Sequence, residues 1–91
     1  MTQSAFRLAK AGKQVMHYVY SLKCNDGYYI GCTDDLKSRL DRHKKGHIPA
    51  TKGRLPVTLE FYIAFTDKHK AFKFEKYLKS GSGRAFISRH F

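Results

Sequence analysis

The sequence predicts a small α+β protein in which a three-stranded antiparallel sheet is flanked by helices, in the order ββαβαα. Its length of 91 residues is enough for one compact core and too short for two domains. Six Tyr and seven Phe are spread through the chain, so it has apolar area for a core and lacks the composition of a disordered protein. Turn and capping residues divide the chain into segments with strand or helix periodicity, which sets the order of the elements.

The first half of the chain predicts a hairpin followed by a helix. Residues 17–22 are rich in aromatic and β-branched side chains, which suits a strand, and residues 28–32 form a second short strand. Asn25-Asp26-Gly27 between them is a turn signal. Thr33 or Asp34 is expected to cap a helix that continues to about Lys45, and Gly46 is expected to stop it.

The second half predicts a strand and two further helices. Residues 47–56 read as a polar, basic loop, and residues 57–65 as the third strand. Thr66 or Asp67 is expected to cap a second helix that runs to about Lys79. Gly81 and Gly83 are expected to break that helix, and residues 84–90 to form a short last helix.

Charge is the strongest compositional signal. Lys and Arg together number 18 against 7 acidic residues, which gives a formal net charge of +11. A field of this sign concentrates polyanions near the surface, and the interleaved aromatic residues favour nucleic acid over a generic basic surface. A membrane partner is not expected. No apolar run approaches the roughly 20 residues of a membrane-spanning helix, and the basic residues are not confined to one amphipathic helix.

The two cysteines and the N-terminal segment carry weaker signals. Cys24 and Cys32 lack metal-binding or redox-motif spacing, so we expect free thiols in a reducing, cytoplasmic compartment. Residues 1–16 are basic, contain no acid and show little periodicity, which predicts a flexible basic extension before a domain at residues 17–91. A true start at Met16, a DNA-grasping arm and an organelle presequence are the alternatives.

The second predicted helix carries a carboxylate that points inward. At 100° per residue, Ala71, Phe72, Phe74 and Leu78 form one apolar arc that should face the sheet, and Glu75 falls within it. Desolvating a carboxylate is costly unless a cation, a set of hydrogen bonds or a metal ion compensates. Periodicity alone leaves two alternatives open, an ion pair with Arg or Lys and a metal ligand.

The first helix and the hairpin add further candidate residues. Arg39 and His43 lie at the edge of the buried helix stripe, where Arg39 can hold a phosphate and His43 can relay a proton. An ordinary half-buried, hydrogen-bonded histidine is the alternative for His43. Tyr20 lies on one strand face, and Tyr29 lies across from it if the hairpin register allows. Strand tyrosines are usually packing residues, but two phenols near a metal-binding carboxylate and an arginine would suit the activation of water.

Several short motifs occur in order along the chain: Tyr18-Val19-Tyr20, Tyr29-Ile30-Gly31, Leu36-x-x-Arg39-x-x-x-His43, Arg54-Leu55-Pro56 and Phe74-Glu75-Lys76-Tyr77-Leu78-Lys79-Ser80-Gly81. This ordered set resembles the signatures of the GIY-YIG nuclease superfamily. The most similar members are the small stand-alone bacterial ones, relatives of the nuclease half of the excision-repair enzyme UvrC and of homing endonucleases. The resemblance spans roughly His17 to Phe91.

The resemblance implies an endonuclease that hydrolyses phosphodiester bonds with one divalent cation, Mg²⁺ or Mn²⁺. The metal-binding glutamate matches Glu75, and the other catalytic positions match Tyr20, Tyr29, Arg39 and His43. The cation would neutralise phosphate charge, and Arg39 would add a fixed positive charge in the transition state. A tyrosine would position or deprotonate the attacking water. Its ordinary pKa of about 10 makes it a poor base at neutral pH unless nearby cations lower that pKa.

Tyr18 stands where the family signature has glycine, a change that we do not expect to remove the site. No appended DNA-binding domain is predicted. Nucleic-acid contacts are therefore predicted at basic residues of the domain itself: Lys37, Arg42, Lys44, Lys45, Lys52 and Arg54. Because phosphate contacts carry no sequence information, specificity is expected to come from substrate shape or from a protein partner.

The leading interpretation is an endonuclease that acts on DNA at branched, damaged or single-stranded sites, in DNA repair or recombination. One alternative is a nucleic-acid-binding module with weak or no catalysis. Another is a scaffold whose charge serves a protein or RNA partner. A lone carboxylate repels a polyanion, so a pure binding surface gains nothing from Glu75, and this favours the nuclease.

Overall fold

The structure is a computed structural model that describes residues 15–91. It has a three-stranded antiparallel sheet with flanking helices, which confirms the α+β class and the order ββαβαα. The strands are β1 (His17–Cys24), β2 (Gly27–Thr33) and β3 (Thr58–Phe65). The extension predicted for residues 1–16 lies outside the described residues over positions 1–14.

Over residues 15–91, three longer helices and one short helix pack around the sheet: α1 (Leu36–Lys44), α2 (Pro49–Lys52), α3 (Lys68–Lys79) and α4 (Gly81–His90). The four-residue α2 lies within the segment predicted as a loop, and it begins at Pro49, whose fixed φ suits the first turn of a helix. Within the described part of the chain, none of the helices is long and apolar enough to cross a membrane.

The strand order is β2-β1-β3, so β1 is the central strand and pairs antiparallel with both neighbours. Tyr20 lies at the middle of this arrangement, opposite Gly31 on β2 and opposite Tyr62 on β3. The hairpin turn ends at Gly27, which has a φ of 142° that L side chains rarely adopt. Because β1 is covered on both edges and both faces, Tyr20 and its neighbour Val19 are completely buried.

Alternate β1 residues contribute to two hydrophobic clusters, as expected when successive side chains of a strand point to opposite faces. One cluster joins Val19 to the long helices and consists of Val19, Ile30, Ala71, Leu78 and Ile87. The other contains Tyr20, Leu22, Cys24 and Val57, with Leu36 and Leu40 of α1 packed against it. The sheet is therefore a middle layer, which lets α1 and α3 approach the same strands from different sides.

The helix ends agree with the predictions at α3 and differ at α1. Asp67 caps α3, and its carboxylate accepts a hydrogen bond of 2.8 Å from the backbone N–H of His69. Asp35 caps α1 instead of Thr33 or Asp34, because its carboxylate is the one that accepts from the third residue of the helix. Gly46 follows α1 with a φ of 76°, the left-handed conformation expected after a helix.

The corner between α3 and α4 depends on Ser80. Its hydroxyl donates to the Tyr77 carbonyl and accepts a 3.1 Å hydrogen bond from the backbone N–H of Gly83. The prediction that Gly81 and Gly83 break the helix is wrong, since the break occurs at Ser80 and α4 begins at Gly81. A Cβ atom at Gly83 would overlap the backbone of Tyr77 and Leu78, so glycine is needed there for the close approach of the two helices.

Candidate active site

Tyr20 forms the buried centre of the candidate site. Its phenol oxygen lies 2.9 Å from Nε2 of His43, and its ring packs over Gly31, where a Cβ atom would overlap the phenol. The two signature motifs are therefore linked by contact, since the tyrosine of the first occupies the space that the glycine of the second leaves open.

Tyr29 of β2 also belongs to this cluster, but it does not lie directly across the ladder from Tyr20. Tyr29 pairs with Leu22 and not with Tyr20, because the register places Gly31 opposite Tyr20. The two tyrosines are diagonal neighbours on one sheet face, with ring centroids 6.4 Å apart. The His43 ring lies 5.3 Å from that of Tyr29 and 5.7 Å from that of Tyr20, so three aromatic rings meet in the site.

His43 is completely buried. The alternative to a catalytic role was an ordinary histidine that is only half-buried. Its Nδ1 lies 2.7 Å from the hydroxyl of Thr51, and its Nε2 faces the Tyr20 phenol. Burial, together with the charges of Arg39 and Arg42, lowers the pKa of His43 below its usual value. His43 is therefore neutral at physiological pH, with one ring nitrogen donating and the other accepting.

The environment also fixes the protonation of Tyr20. Its pKa is raised to about 12, chiefly by burial and in smaller part by Tyr29 and Glu75, while Arg39 opposes the change. The phenol therefore keeps its proton at neutral pH and cannot act as a general base there. Because Tyr29, Arg39 and Glu75 all affect the pKa of Tyr20, the three side chains lie near this one buried phenol.

Arg39 and Glu75 reach this region from different helices. Arg39 is half-buried on α1, and its charge acts on Tyr20, on His43 and on the thiol of Cys32. Glu75 is half-buried on α3, and it acts on Tyr20 and Cys32 in the opposite sense. Burial is the first cause of the raised pKa of Cys32, which predicts an unreactive thiol.

Glu75 is paired with a cation, one of the two alternatives left open by the periodicity. Its Oε2 lies 3.0 Å from Nζ of Lys79, with only 19% of the Glu75 side chain exposed. Ala71 and Leu78 are buried on the same face of α3, as predicted. Phe72 is 45% exposed, so its assignment to the core-facing arc is wrong. The arc is narrower than predicted, and Glu75 lies at its border instead of inside it.

The basic residues predicted to contact nucleic acid do not form one surface. At 100° per residue, Arg42 lies on the Arg39 side of the buried α1 stripe, whereas Lys37 and Lys44 lie on the other side. Lys37 and Lys44 line a shallow cleft of about 510 Å³ that also contains Asp35 and Asp41. This cleft has mixed charge and lies away from the candidate catalytic residues.

The other three predicted contact residues, Lys45, Lys52 and Arg54, differ in how freely their side chains could bind a phosphate. Lys52 is exposed on α2, and Lys45 is exposed but paired at 3.0 Å with Asp41. Arg54 donates from Nε to Asp26 over 2.6 Å and from a terminal nitrogen to the Tyr28 carbonyl over 3.2 Å. These bonds tie Arg54 to the hairpin turn, and they restrict the orientation in which its remaining N–H donors could meet a phosphate. Nucleic-acid contact by all of these residues stays a prediction.

Sequence reasoning missed two residues of the site. Lys79 follows Glu75 by four positions, a spacing that favours ion pairs on helices and gives a usable signal. Thr51 had no such signal, because it lies in a segment predicted as a loop and reaches His43 only through the tertiary fold. Among the described residues, Thr51 is one of the few polar side chains that are completely buried. The short helix α2 therefore contributes to the site by placing the Thr51 hydroxyl against His43.

Comparison with known proteins agrees with this geometry. Residues 16–86 match the GIY-YIG catalytic domain family, a range that contains all five candidate catalytic side chains. A UPF0213 protein of Halobacterium salinarum is 41% identical over 66 residues, which cover 70% of this chain and 86% of that protein. A UPF0213 protein of Streptococcus agalactiae is 38% identical over 82 residues, or 85% of this chain and 93% of that protein.

A solved structure is similar as well. The solution NMR structure of a UPF0213 protein from Bacillus halodurans is 35% identical to this chain, with a TM-score of 0.53. The alignment covers 81% of this chain and 83% of that one. UPF0213 is a family name that specifies no reaction. The match over residues 16–86, together with the arrangement of the two tyrosines, the arginine, the histidine and the glutamate, shows that this chain belongs to the GIY-YIG nuclease superfamily.

Proposed function

We propose that this protein is an endonuclease that hydrolyses phosphodiester bonds in DNA with one divalent cation, Mg²⁺ or Mn²⁺. One observation carries the proposal. Within residues 16–86, which match the GIY-YIG catalytic domain, two half-buried side chains of opposite charge, Glu75 and Arg39, lie on separate helices near the buried phenol of Tyr20. Packing alone does not require two opposite charges beside that phenol, whereas the cleavage of a phosphate ester uses both.

The chemistry of the donors fits a hard cation of the magnesium type. Over residues 15–91, no cluster of three or more His, Cys, Asp or Glu side chains exists that could enclose a metal ion. Mg²⁺ does not need such a cage, because it keeps several waters and binds through one or two carboxylates together with substrate phosphates. Glu75 would supply the carboxylate. Its partner Lys79 has a side chain that is 53% exposed and is free to turn towards solvent or phosphate. When bound, the cation would neutralise phosphate charge and stabilise the leaving oxygen.

The residues around Glu75 have separate tasks in this proposal. Arg39 holds a fixed positive charge where negative charge accumulates on the phosphate oxygens. Tyr29 reaches the surface at the edge of a cleft, so its phenol is accessible to the attacking water and orients it. Tyr20 keeps its proton and holds its position through the hydrogen bond with His43, and Thr51 fixes the other side of the imidazole. Of the two tyrosines, Tyr29 is therefore the one assigned to the water.

Specificity in this proposal comes from outside the catalytic cluster. The phosphate contacts available to the basic residues position a strand without reading its sequence. Substrate shape or a protein partner would then select the sites of cleavage, in a process such as DNA repair or recombination.

Cleavage of labelled DNA tests the proposal, with single-stranded, duplex and branched substrates in Mg²⁺ or Mn²⁺. The key variant is Glu75→Gln, and Glu60→Gln is its control, because Glu60 is exposed on β3 and the change in charge is the same. We expect Glu75→Gln and Arg39→Gln each to lower the cleavage rate by about a hundredfold or more. Glu60→Gln should cut like the wild type.

Binding measured in parallel separates chemistry from affinity. Glu75→Gln removes a negative charge, so it should bind DNA at least as tightly as the wild type. Tight binding by the wild type without cleavage of any substrate would replace the nuclease with a binding module. Cleavage that persists in Glu75→Gln would place the metal elsewhere and overturn the assignment.

A further inference from the structure

A cleft of about 220 Å³ lies beside the candidate site. It is formed by β2 and by the corner where α3 meets α4, so it lies at one edge of the sheet. Its lining consists of Tyr28, Tyr29, Ile30, Leu78, Lys79 and Arg84.

Two of the lining residues connect the cleft with the proposed chemistry. Lys79 is the ion-pair partner of Glu75, with 3.0 Å between Nζ and Oε2. Tyr29 packs against His43 in the catalytic cluster and also forms part of the cleft wall. A group bound in the cleft would therefore lie near a phosphate held at Glu75.

We propose that this cleft binds the base of one unpaired nucleotide adjacent to the phosphodiester bond that is cleaved. The inference rests on the proposed function, since it assigns the class of DNA that the same site accepts. It makes single strands, flaps and gaps the preferred substrates over continuous duplex.

The lining matches the chemistry of a nucleotide. Tyr28 offers aromatic surface on which a base can stack, and the buried side chains of Ile30 and Leu78 lie beneath it on the same face of β2. Lys79 and Arg84 supply positive charge for the phosphates, and none of the described residues that line the cleft is acidic. The larger cleft at α1 has lysines as well, but its described lining contains no aromatic side chain and includes Asp35 and Asp41.

The size of the cleft limits what it can hold. Its volume of about 220 Å³ is below the roughly 300–1,000 Å³ of pockets that enclose drug-sized ligands. This space suits one planar base, with the sugar and phosphate remaining outside near Lys79 and Arg84. Within continuous duplex a base is stacked and paired, so it can enter such a cleft only after leaving the helix, which costs free energy. An unpaired base enters without that cost.

Substitution of Tyr28 tests the inference, because Tyr28 is 36% exposed and is not one of the proposed catalytic residues. Tyr28→Ala removes the stacking surface, and Tyr28→Phe keeps it. Tyr62→Ala is the matched control, since Tyr62 is 51% exposed and lies on β3 at the opposite edge of the sheet. KM and kcat are measured on a single strand, a flap and a continuous duplex, with dissociation constants for the same DNAs in EDTA.

We expect Tyr28→Ala to raise KM and the dissociation constant about tenfold for unpaired substrates and to leave duplex binding unchanged. Tyr28→Phe and Tyr62→Ala should behave like the wild type. An equal loss of affinity for duplex and single strand would make Tyr28 a general contact and overturn the inference. So would wild-type behaviour of Tyr28→Ala on every DNA.

The measurements also separate this inference from the proposed function. If the wild type cleaves DNA, Glu75→Gln does not, and Tyr28→Ala has no effect, the proposed nuclease activity is supported and the base-binding cleft is rejected. If the wild type cleaves no DNA but binds single strands through Tyr28, the proposed nuclease activity is rejected and the base-binding cleft is kept.

Discussion

The ring of Tyr20 lies against the backbone of Gly31, its partner across the β1–β2 ladder, without space between them for a Cβ atom. The tyrosine belongs to the first signature motif and the glycine to the second. Their contact fixes the phenol where it meets Nε2 of His43 at 2.9 Å. The glycine is therefore required by packing, and the geometry of the candidate site depends on it.

Substitution of Gly31 by alanine is expected to destabilise the protein and to displace Tyr20. The added methyl group would overlap the phenol in a fully buried position, and overpacking of this kind costs about 1–3 kcal/mol. Urea denaturation measures the loss in the free energy of unfolding. Gly53→Ala is the control, because among residues 15–91 a Cβ at that position would meet no heavy atom within 4 Å beyond the neighbouring backbone. Equal effects of the two substitutions would contradict the packing role of Gly31.

Thr51 is expected to stabilise the site through its hydroxyl. Thr51→Val keeps the shape of the side chain but leaves Nδ1 of His43 without its 2.7 Å partner, which should cost about 1–3 kcal/mol of unfolding free energy. Thr51→Ser keeps the hydroxyl and loses one methyl group, for a cost of about 0.8 kcal/mol. Chemical denaturation of the three proteins gives the comparison. A valine variant more stable than the serine variant would rule out this hydrogen bond as a significant contribution.

Stability is expected to fall at mildly acidic pH because His43 is buried in its neutral form. Its pKa in the folded protein lies below the ordinary value of 6.5, owing to burial and to the charges of Arg39 and Arg42. The contribution of the neutral imidazole is fully present above pH 6.5. It is lost as the pH falls from there towards the lower folded pKa, because the unfolded chain then binds a proton that the folded one does not.

Comparison with His43→Gln isolates this effect, since glutamine can bond to both hydroxyls and does not titrate. The free energy of unfolding is measured for both proteins at about pH 7.5 and about pH 5.5. The wild type should lose more of it than the variant does. Parallel losses in the two proteins would assign the pH dependence to other groups.

The two flanks of α1 are expected to contribute unequally to DNA binding. Arg42 lies on the side of Arg39, whereas Lys44 lies on the opposite side, in the cleft that contains Asp35 and Asp41. Arg42→Gln should weaken binding and lower the slope of log affinity against log salt by about 1. Lys44→Gln, which removes the same charge from the same helix, should change it much less. Equal slopes for the two variants would mean that DNA contacts both flanks.

Much of the fold was predictable because its signals are local. Strand periodicity, the Asn25-Asp26-Gly27 turn and the capping residue Asp67 act within a few positions of one another, so each can be recognised without knowledge of the fold. Predictions that relied on one local rule were less accurate. The glycines at 81 and 83 suggested a helix break, but Ser80 ends α3 and α4 continues through both of them. Gly83 serves the contact between helices, which no local pattern reports.

The candidate site, like the fold, was predictable only in part. The motif order identified Tyr20, Tyr29, Arg39, His43 and Glu75, and helix periodicity indicated that a carboxylate lies near the core. The sequence could not distinguish the roles of the two tyrosines. That distinction depends on burial, which raises the pKa of Tyr20 to about 12 and leaves Tyr29 at the edge of a cleft.

The sequence by itself determined the fold class, the order of the elements and the superfamily, because these follow from periodicity, from turn chemistry and from motifs that are read along the chain. Only the tertiary structure decided that Thr51 supports His43, that Lys79 pairs with Glu75, and that Arg54 belongs to the hairpin turn. The physical reason is that hydrogen bonds and desolvation depend on distances between atoms. Thr51 and His43 come together only when α2 packs against the end of α1, and residue types alone do not specify that distance.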